Sequence, residues 1–258
     1  MKRILLFCPL RPDTPKLFGR TNQSIFRQDY EPLDMWFSMG DNPQDTGVPI
    51  NDGRANILHN YQKARRLMLD NGYDALMTVE ADMIIPSDAI RRLIDCEADI
   101  AYGLYVFRAV SSWSAFTRLD KLSGRSVSKD PELAKEWFGT RRQVAGVGFG
   151  CTLIKRHVLE AIEFRSEPGS ANDWYFSLDA QEKGFKQVCD LGLVCGHIDL
   201  HPVPRVIWPD PNLPGLYRND FIHGIPVDDN GEVVIELGRL GEFYIPKDAL
   251  LYPVEEAA

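Results

Sequence analysis

The sequence lacks several features that would assign it at once to a functional class. No apolar run reaches the length of about 20 residues that a membrane-spanning helix requires. No block of Lys and Arg occurs, and the net charge of −8 disfavours a protein that binds the phosphate backbone of nucleic acid. The five cysteines are odd in number and form no C-x-x-C pair, so we expect reduced core thiols in a cytoplasmic protein.

The composition is that of a folded globular protein. At 258 residues, with 44% hydrophobic and 26% charged residues, the chain is long enough for one large or two small domains. The apolar start is only five residues long and is followed by Pro9, which predicts a first buried strand over residues 4–8 rather than a signal peptide.

Beyond the first strand, apolar strand-like runs alternate with helix-like segments, including an amphipathic helix over residues 51–70. This alternation predicts an α/β fold with a mixed, mostly parallel central sheet flanked by helices. We expect one such domain over residues 1–205. Residues 206–258 would form a C-terminal extension with a β-hairpin at 233–237 and 242–245.

The organising motif follows the apolar run Ala75–Val79, which has the length of a buried strand. Two carboxylates, Glu80 and Asp82, come next with one small residue between them. In an extended chain such residues point the same way, so both could bind one hard cation at the strand's carboxyl end. The alternative is an acidic turn that only caps the helix predicted over 88–94.

Three other positions are candidates for contact with a ligand. Arg11 lies in the loop after the first strand, and Arg54 lies in the first turn of the helix over 51–70. Either could meet a phosphate or lie exposed to solvent. Gly148 is the middle of three alternating glycines in a predicted strand over 144–154, which suggests a close approach of ligand to backbone.

Two side chains late in the chain could carry chemistry. Asp173 begins a predicted helix over 172–184, where a carboxylate is either a cap or, if it faces the cleft, a general base. His197 lies at or near the end of a predicted strand, where a structural role competes with metal binding. A zinc site from Cys189, Cys195, His197 and His201 has no recognisable ligand spacing.

In this order, the motifs resemble those of nucleotide-sugar glycosyltransferases of the GT-A type over residues 4–197. Glu80-Ala-Asp82 resembles the D-x-D metal motif, with Glu in the first position. The Gly-rich segment 146–150 resembles the donor/acceptor segment, and Asn172-Asp173 resembles the acidic "E-D" element. His197 resembles the late histidine that completes the metal site in part of the family.

The resemblance implies a GT-A-like fold with a Rossmann-like nucleotide-binding half and a UDP- or GDP-sugar donor. It also implies a divalent cation held by Glu80, Asp82 and His197. Carboxylate ligands suit Mg²⁺ or Mn²⁺, and the imidazole favours Mn²⁺. Asp173 would be the base that activates an acceptor hydroxyl on a glycan or small molecule, with inversion as the expected outcome.

Two other functions remain open from the sequence. A sugar-phosphate nucleotidyltransferase would have a glycine-rich loop after the first strand, whereas residues 9–17 contain no glycine. A non-catalytic module that binds glycans or nucleotide sugars could retain the same fold without turnover.

Overall fold

The structure is a computed structural model that describes residues 2–10, 18–38, 49–108, 110–166, 172–200 and 203–222. Within these ranges, the side chains of residues 18 and 49–54 are not described. Arg11, the side chain of Arg54, His201 and the predicted hairpin over 233–245 therefore lie outside the described residues.

Strands and helices alternate along the chain, as the sequence pattern predicted. The strands are β1 (Ile4–Pro9), β2 (Leu33–Ser38), β3 (Ala75–Val79), β4 (Met83–Ile84), β5 (Ile100–Leu104), β6 (Val106–Phe107), β7 (Ser112–Trp113), β8 (Phe116–Leu119), β9 (Gly124–Ser126), β10 (Arg141–Gln143), β11 (Cys151–Lys155), β12 (Gln187–Val194), β13 (Gly196–Asp199), β14 (Arg205–Pro209) and β15 (Tyr217–Phe221). The α-helices are α1 (Phe18–Phe26), α2 (Pro49–Asp70), α3 (Ala89–Ile94), α4 (Pro131–Trp137), α5 (Arg156–Ala161) and α6 (Asn172–Glu182).

A seven-stranded sheet in the order β10-β12-β5-β11-β3-β1-β2 forms the centre of the fold. β1 pairs in parallel with β2 and β3, and β12 pairs in parallel with β5. β11 is antiparallel to β3 and β5, and β10 is antiparallel to β12. The prediction of a mixed, mostly parallel sheet flanked by helices is confirmed.

The central strands are apolar throughout because both faces of the sheet are covered. Every residue of β1, β3 and β5 is buried, which is the pattern expected when helices pack on the two faces. Since β1, β3 and β5 point in the same direction, their carboxyl ends meet at one edge of the sheet. Ligands in open α/β folds bind at such an edge.

A second, antiparallel sheet in the order β15-β14-β13-β4 is reached from this edge. The apolar run 193–198 predicts a further strand of the main sheet, but the chain leaves that sheet after Val194, and β13 pairs with β4 and β14. A register shift between Asp190 and Val194 precedes this departure, and there the Asp190 carboxylate accepts hydrogen bonds from Gly192 N and Leu193 N. His197 is therefore in the second sheet.

The glycine-rich segment also differs from the prediction. We expected a strand from residue 144, whereas β11 starts only at Cys151. A Cβ at Gly146 would lie 2.5 Å from Ser177 Cβ, and one at Gly150 would lie 2.9 Å from the Tyr105 ring. The glycines thus allow the segment to pass close to α6 and to the end of β5.

The five cysteines are buried, and none forms a disulfide. Within the part of the chain that the structure describes, no helix has the length and apolar character needed to cross a membrane.

Candidate active site

Residues 80–82, here called the acidic turn, connect β3 to β4 at the carboxyl edge of the main sheet. We predicted an extended path, but Met83 N donates to Glu80 O at 3.0 Å and closes a turn, because the chain must change sheets here. The Thr21 hydroxyl of α1 donates to Ala81 O at 2.8 Å, and Ile198 N donates to Asp82 O at 2.8 Å. Contacts from two other segments therefore hold the turn.

The second sheet brings His197 to Asp82. His197 Nε2 lies 3.5 Å from Asp82 Oδ2, and its Nδ1 lies 2.7 Å from the carbonyl oxygen of Val106. Because a carbonyl can only accept, Nδ1 carries the proton, and in the neutral ring Nε2 presents its lone pair towards Asp82. Nε2 is buried and has no hydrogen-bond partner, an arrangement that is uncommon in a folded protein.

Arg108 meets the same carboxylate, and the sequence reading missed it. Its Nη2 lies 2.9 Å from Asp82 Oδ2, and its Nη1 donates to Ile198 O at 3.3 Å. The side chain is 39% exposed. The available signal was its position as the first residue after the apolar run that ends at Phe107, at the carboxyl edge of the sheet.

Asp173 lies in the first turn of α6, as predicted, and faces Gly148. Its Oδ1 accepts a hydrogen bond from Trp174 N at 2.8 Å. A Cβ placed on Gly148 would lie 2.9 Å from Asp173 Oδ2 and would overlap the hydroxyl of Tyr105. Only a glycine therefore allows the backbone to pass this close to the carboxylate and the phenol.

The irregular sequence of residues 112–143 predicts a β-ribbon and one helix that cover the cleft, and the structure has a ribbon beside Asp173. The hairpin of β8 and β9 contacts the first turn of α6, where Trp174 Nε1 donates to Asp120 O at 2.9 Å. The Phe116 ring packs edge-on against the Trp174 ring at 5.6 Å. The region 112–143 thus contains a β-ribbon and the helix α4, together with the short strands β7 and β10.

The charges of these groups act on one another. Burial, together with the negative charges of Asp82 and Asp173, raises the pKa of Glu80 from 4.5 to about 7, while His197 and Arg108 oppose the rise. Such mutual influence requires that the groups lie close together. Glu80, Asp82, Asp173 and His197 are thus gathered at one end of the sheet, from three separate parts of the chain.

Asp173 and His197 are perturbed by different causes. Burial raises the pKa of Asp173 from 3.8 to about 6, although backbone N–H groups, including that of Trp174, counteract it. Burial lowers the pKa of His197, but the negative charge of Asp82 and its contact with the ring outweigh this effect and leave the pKa raised, so the free site favours the protonated ring more than an isolated histidine does. The first shift reflects poor solvation of the carboxylate, and the second reflects the negative charge beside the imidazole.

Two buried tyrosines lie near the carboxylates of Glu80 and Asp173. Burial and the charges of Glu80 and Asp173 raise the pKa of Tyr61 and of Tyr105 well above the ordinary value, so both phenols are neutral. Tyr105 Oη accepts a hydrogen bond from Gly150 N at 3.4 Å, and Tyr61 Oη is buried without a partner. Sequence reasoning treated both only as apolar residues, because burial near a charged site has no local signature.

The residues present fit a divalent cation at Asp82 and His197. Among the described residues, no three His, Cys, Asp or Glu side chains form a complete ligand group, and the zinc alternative gains no support. However, a buried imidazole nitrogen without a partner faces a carboxylate, and the other ring nitrogen is fixed by a backbone carbonyl, as in metal-binding histidines. Substrate and water oxygens would complete the coordination of a hard cation.

No family model matches the sequence, and no curated protein does so. Among solved structures, the chain is similar to A197 from STIV, with a TM-score of 0.54 and 14% identity over 94% of this chain and 100% of that chain. It is also similar to S. aureus TarS 1-349, with a TM-score of 0.42 and 15% identity over 73% of this chain and 58% of that chain.

A further similar structure is TarS 1-349 in complex with UDP, with a TM-score of 0.42 and 12% identity. This match includes 73% of the present chain and 60% of the TarS chain. The chain therefore spans less than two thirds of the length of TarS 1-349. At these identities, the likeness to A197 concerns the fold alone. The chain thus has a mixed α/β fold that it shares with A197.

Proposed function

We propose that this protein is a metal-dependent glycosyltransferase that moves a sugar from a UDP- or GDP-sugar donor to an acceptor hydroxyl, with inversion at the anomeric carbon. One observation carries the proposal. His197 Nε2 is buried and without a hydrogen-bond partner, 3.5 Å from Asp82 Oδ2, at the carboxyl end of β3. A buried polar atom of this kind is expected where a ligand completes the site.

Asp82 and His197 would hold the cation, with Glu80 beside them as a third ligand group. Bound there, Mn²⁺ or Mg²⁺ would neutralise the charge that develops on the diphosphate leaving group. The imidazole favours Mn²⁺. Val106 O keeps His197 in the tautomer that ligation needs, and Thr21 holds the acidic turn in place.

Asp173 would act as the general base. Its Oδ1 is engaged by Trp174 N, whereas its Oδ2, beside Gly148, would accept the proton of the acceptor hydroxyl. The acceptor hydroxyl gives its proton to this carboxylate, and its oxygen forms a bond to the anomeric carbon. The bond from that carbon to the diphosphate oxygen breaks, and the nucleoside diphosphate leaves with the electron pair. A single displacement of this kind inverts the configuration.

The raised pKa of Asp173 suits this role. With a pKa of about 6, the carboxylate is mostly ionised at pH 7 and is a stronger base than an ordinary aspartate. Arg11, Arg54 and the backbone at Gly148 remain proposals for contacts with the nucleotide. The acceptor would be a glycan or a small molecule, and free buried thiols favour a cytoplasmic reaction. In this proposal, residues 1–205 form the transferase domain and 206–258 its extension.

The test is a panel of UDP- and GDP-sugars incubated with Mn²⁺ and the whole chain, with released UDP or GDP as the readout. We expect slow metal-dependent release from one donor, and loss of that release in Asp82→Asn. Asp34→Asn is the matched control, because Asp34 is the second residue of β2, at the opposite end of the parallel strands, and pairs there with Arg3 at 3.0 Å.

The other outcomes separate the competing functions. Nucleotide-sugar binding without release would identify a binding module. Release of pyrophosphate from a nucleoside triphosphate and a sugar phosphate would identify a nucleotidyltransferase. No release from any donor and no Mn²⁺-dependent binding of UDP or GDP would refute the proposal.

A further inference from the structure

We propose that Arg108 exchanges partners as the site is loaded: it neutralises Asp82 in the free protein and binds the diphosphate once a divalent cation has taken Asp82. This inference rests on the proposed function, because it assumes the cation at Asp82 and His197. It assigns a role to a residue that no sequence motif indicated.

The exchange is expected because Arg108 and His197 contact the same oxygen atom of Asp82. Asp82 Oδ2 lies 2.9 Å from Arg108 Nη2 and 3.5 Å from His197 Nε2. A cation bound by Asp82 and His197 would lie at about 2.1 Å from its ligand atoms, beside the guanidinium. Two positive groups at that separation repel each other, and the partial burial of Asp82 limits the screening of this repulsion by water. The guanidinium must therefore give way before the cation can bind.

The position of Arg108 allows it to move a short distance without leaving the site. The side chain is 39% exposed, so solvent is available on one side. Its Nη1 donates to Ile198 O at 3.3 Å, which keeps it at the rim of the acidic turn. A diphosphate bound to the cation would place its oxygens near Arg108. The planar guanidinium can donate two parallel hydrogen bonds to phosphate oxygens.

The exchange predicts effects of opposite sign on two ligands when Arg108 is changed to Gln. Mn²⁺ alone, measured by calorimetry on the whole chain, should bind about tenfold more tightly, because a competing positive charge is gone. The Mn²⁺–pyrophosphate complex, at saturating Mn²⁺, should bind about tenfold more weakly, because a charge-assisted hydrogen bond is lost. Pyrophosphate is used because it contains no base or sugar.

Two further variants define the controls. Arg108→Lys keeps the positive charge and should bind Mn²⁺ alone like the parent. Arg3→Gln removes the same charge from a similar ion pair, Arg3 with Asp34 at 3.0 Å, and should change neither affinity. Arg3 precedes β1 and lies about 20 Å from the carboxyl edge along a six-residue strand.

The remaining outcomes overturn the exchange. If Arg108→Gln weakens both ligands, Arg108 only supports the structure. If it alters one affinity or neither, no exchange occurs, although the transferase proposal survives as long as Asp82→Asn abolishes Mn²⁺ binding. If neither the parent nor Arg108→Gln binds Mn²⁺, the cation site itself fails and takes this inference with it.

Discussion

Replacing the proposed base, Asp173→Asn, should make the protein more stable at alkaline pH. Burial raises the pKa of Asp173 from 3.8 to about 6, so the folded state holds the proton more tightly than the unfolded state. The ionised carboxylate therefore costs stability, and this cost grows as the pH rises from about 4 to about 6. One pKa unit corresponds to about 1.4 kcal/mol, which gives about 3 kcal/mol for the full shift. Because the side chain is only partly buried, about 2 kcal/mol is the expected size.

In Asp173→Asn the uncharged amide does not ionise, so the destabilisation by a buried negative charge is absent at every pH. At pH 8, in buffer with a chelator, urea denaturation should show a gain of about 2 kcal/mol in the free energy of unfolding. For a chain of this size, that gain corresponds to a rise of about 4–8 °C in melting temperature. The gain should shrink as the pH falls from 6 towards 4, where Asp173 of the parent is protonated in both states. Release of nucleoside diphosphate from the donor should be lost in the same variant, because no base remains.

A carboxylate of opposite character provides the control. Hydrogen bonds from Tyr73 and Arg3 lower the pKa of Asp34, so its ionised form stabilises the folded state. Asp34→Asn should therefore lose stability at pH 8, whereas Asp173→Asn gains it. The reasoning is refuted if Asp173→Asn is less stable than the parent at pH 8, or if its gain is the same at pH 5 and pH 8.

Three further substitutions test the supports of the site and of the sheet. Gly148→Ala would press a methyl group against Asp173 Oδ2, and a displacement of that carboxylate by about 1 Å should lower donor turnover about 100-fold. The control is Gly103→Ala, whose methyl group would meet two cysteine sulfurs at 2.9 and 3.0 Å. It should cost about 1–3 kcal/mol in urea denaturation without a comparable loss of turnover. Thr21→Val removes the buried hydrogen bond to the acidic turn; we expect a loss of about 1–3 kcal/mol in stability and weaker Mn²⁺ binding by calorimetry, and unchanged binding would contradict the role of Thr21. Asp190→Asn disrupts a carboxylate that is 1% exposed and bonded to two arginines; urea denaturation should show a loss of about 3 kcal/mol, and a loss below about 1 kcal/mol would show that the network is dispensable.

Most of the secondary structure could be predicted from the sequence because it depends on neighbouring residues. The strand Ala75–Val79 has the predicted bounds, and the helix predicted over 51–70 corresponds to α2, Pro49–Asp70. Apolar periodicity and turn residues carry these assignments. The prediction was wrong where the chain changes sheets, at the acidic turn and after Val194, because the pairing partner of a strand depends on distant residues.

In the candidate site, too, the residue types could be predicted from the local sequence, whereas the contacts between them could not. The sequence singled out Asp82, Asp173 and His197 by residue type and by position beside predicted elements. It did not distinguish Arg108 or Tyr105 from other residues, since an arginine after a strand and a tyrosine within an apolar run are ordinary features. Their closeness to the acidic turn results from the way in which β5 and the second sheet meet.

The sequence by itself determined the alternation of strands and helices, the burial of the central strands and the chemical groups available at the strand ends. These depend on local propensity and on the hydrophobic pattern. The tertiary structure alone decided which of those groups meet. It brings His197 of the second sheet to Asp82, sets Arg108 on the same oxygen and places Asp173 against Gly148. Distances between residues far apart in the chain follow from register and packing, and no local pattern encodes them.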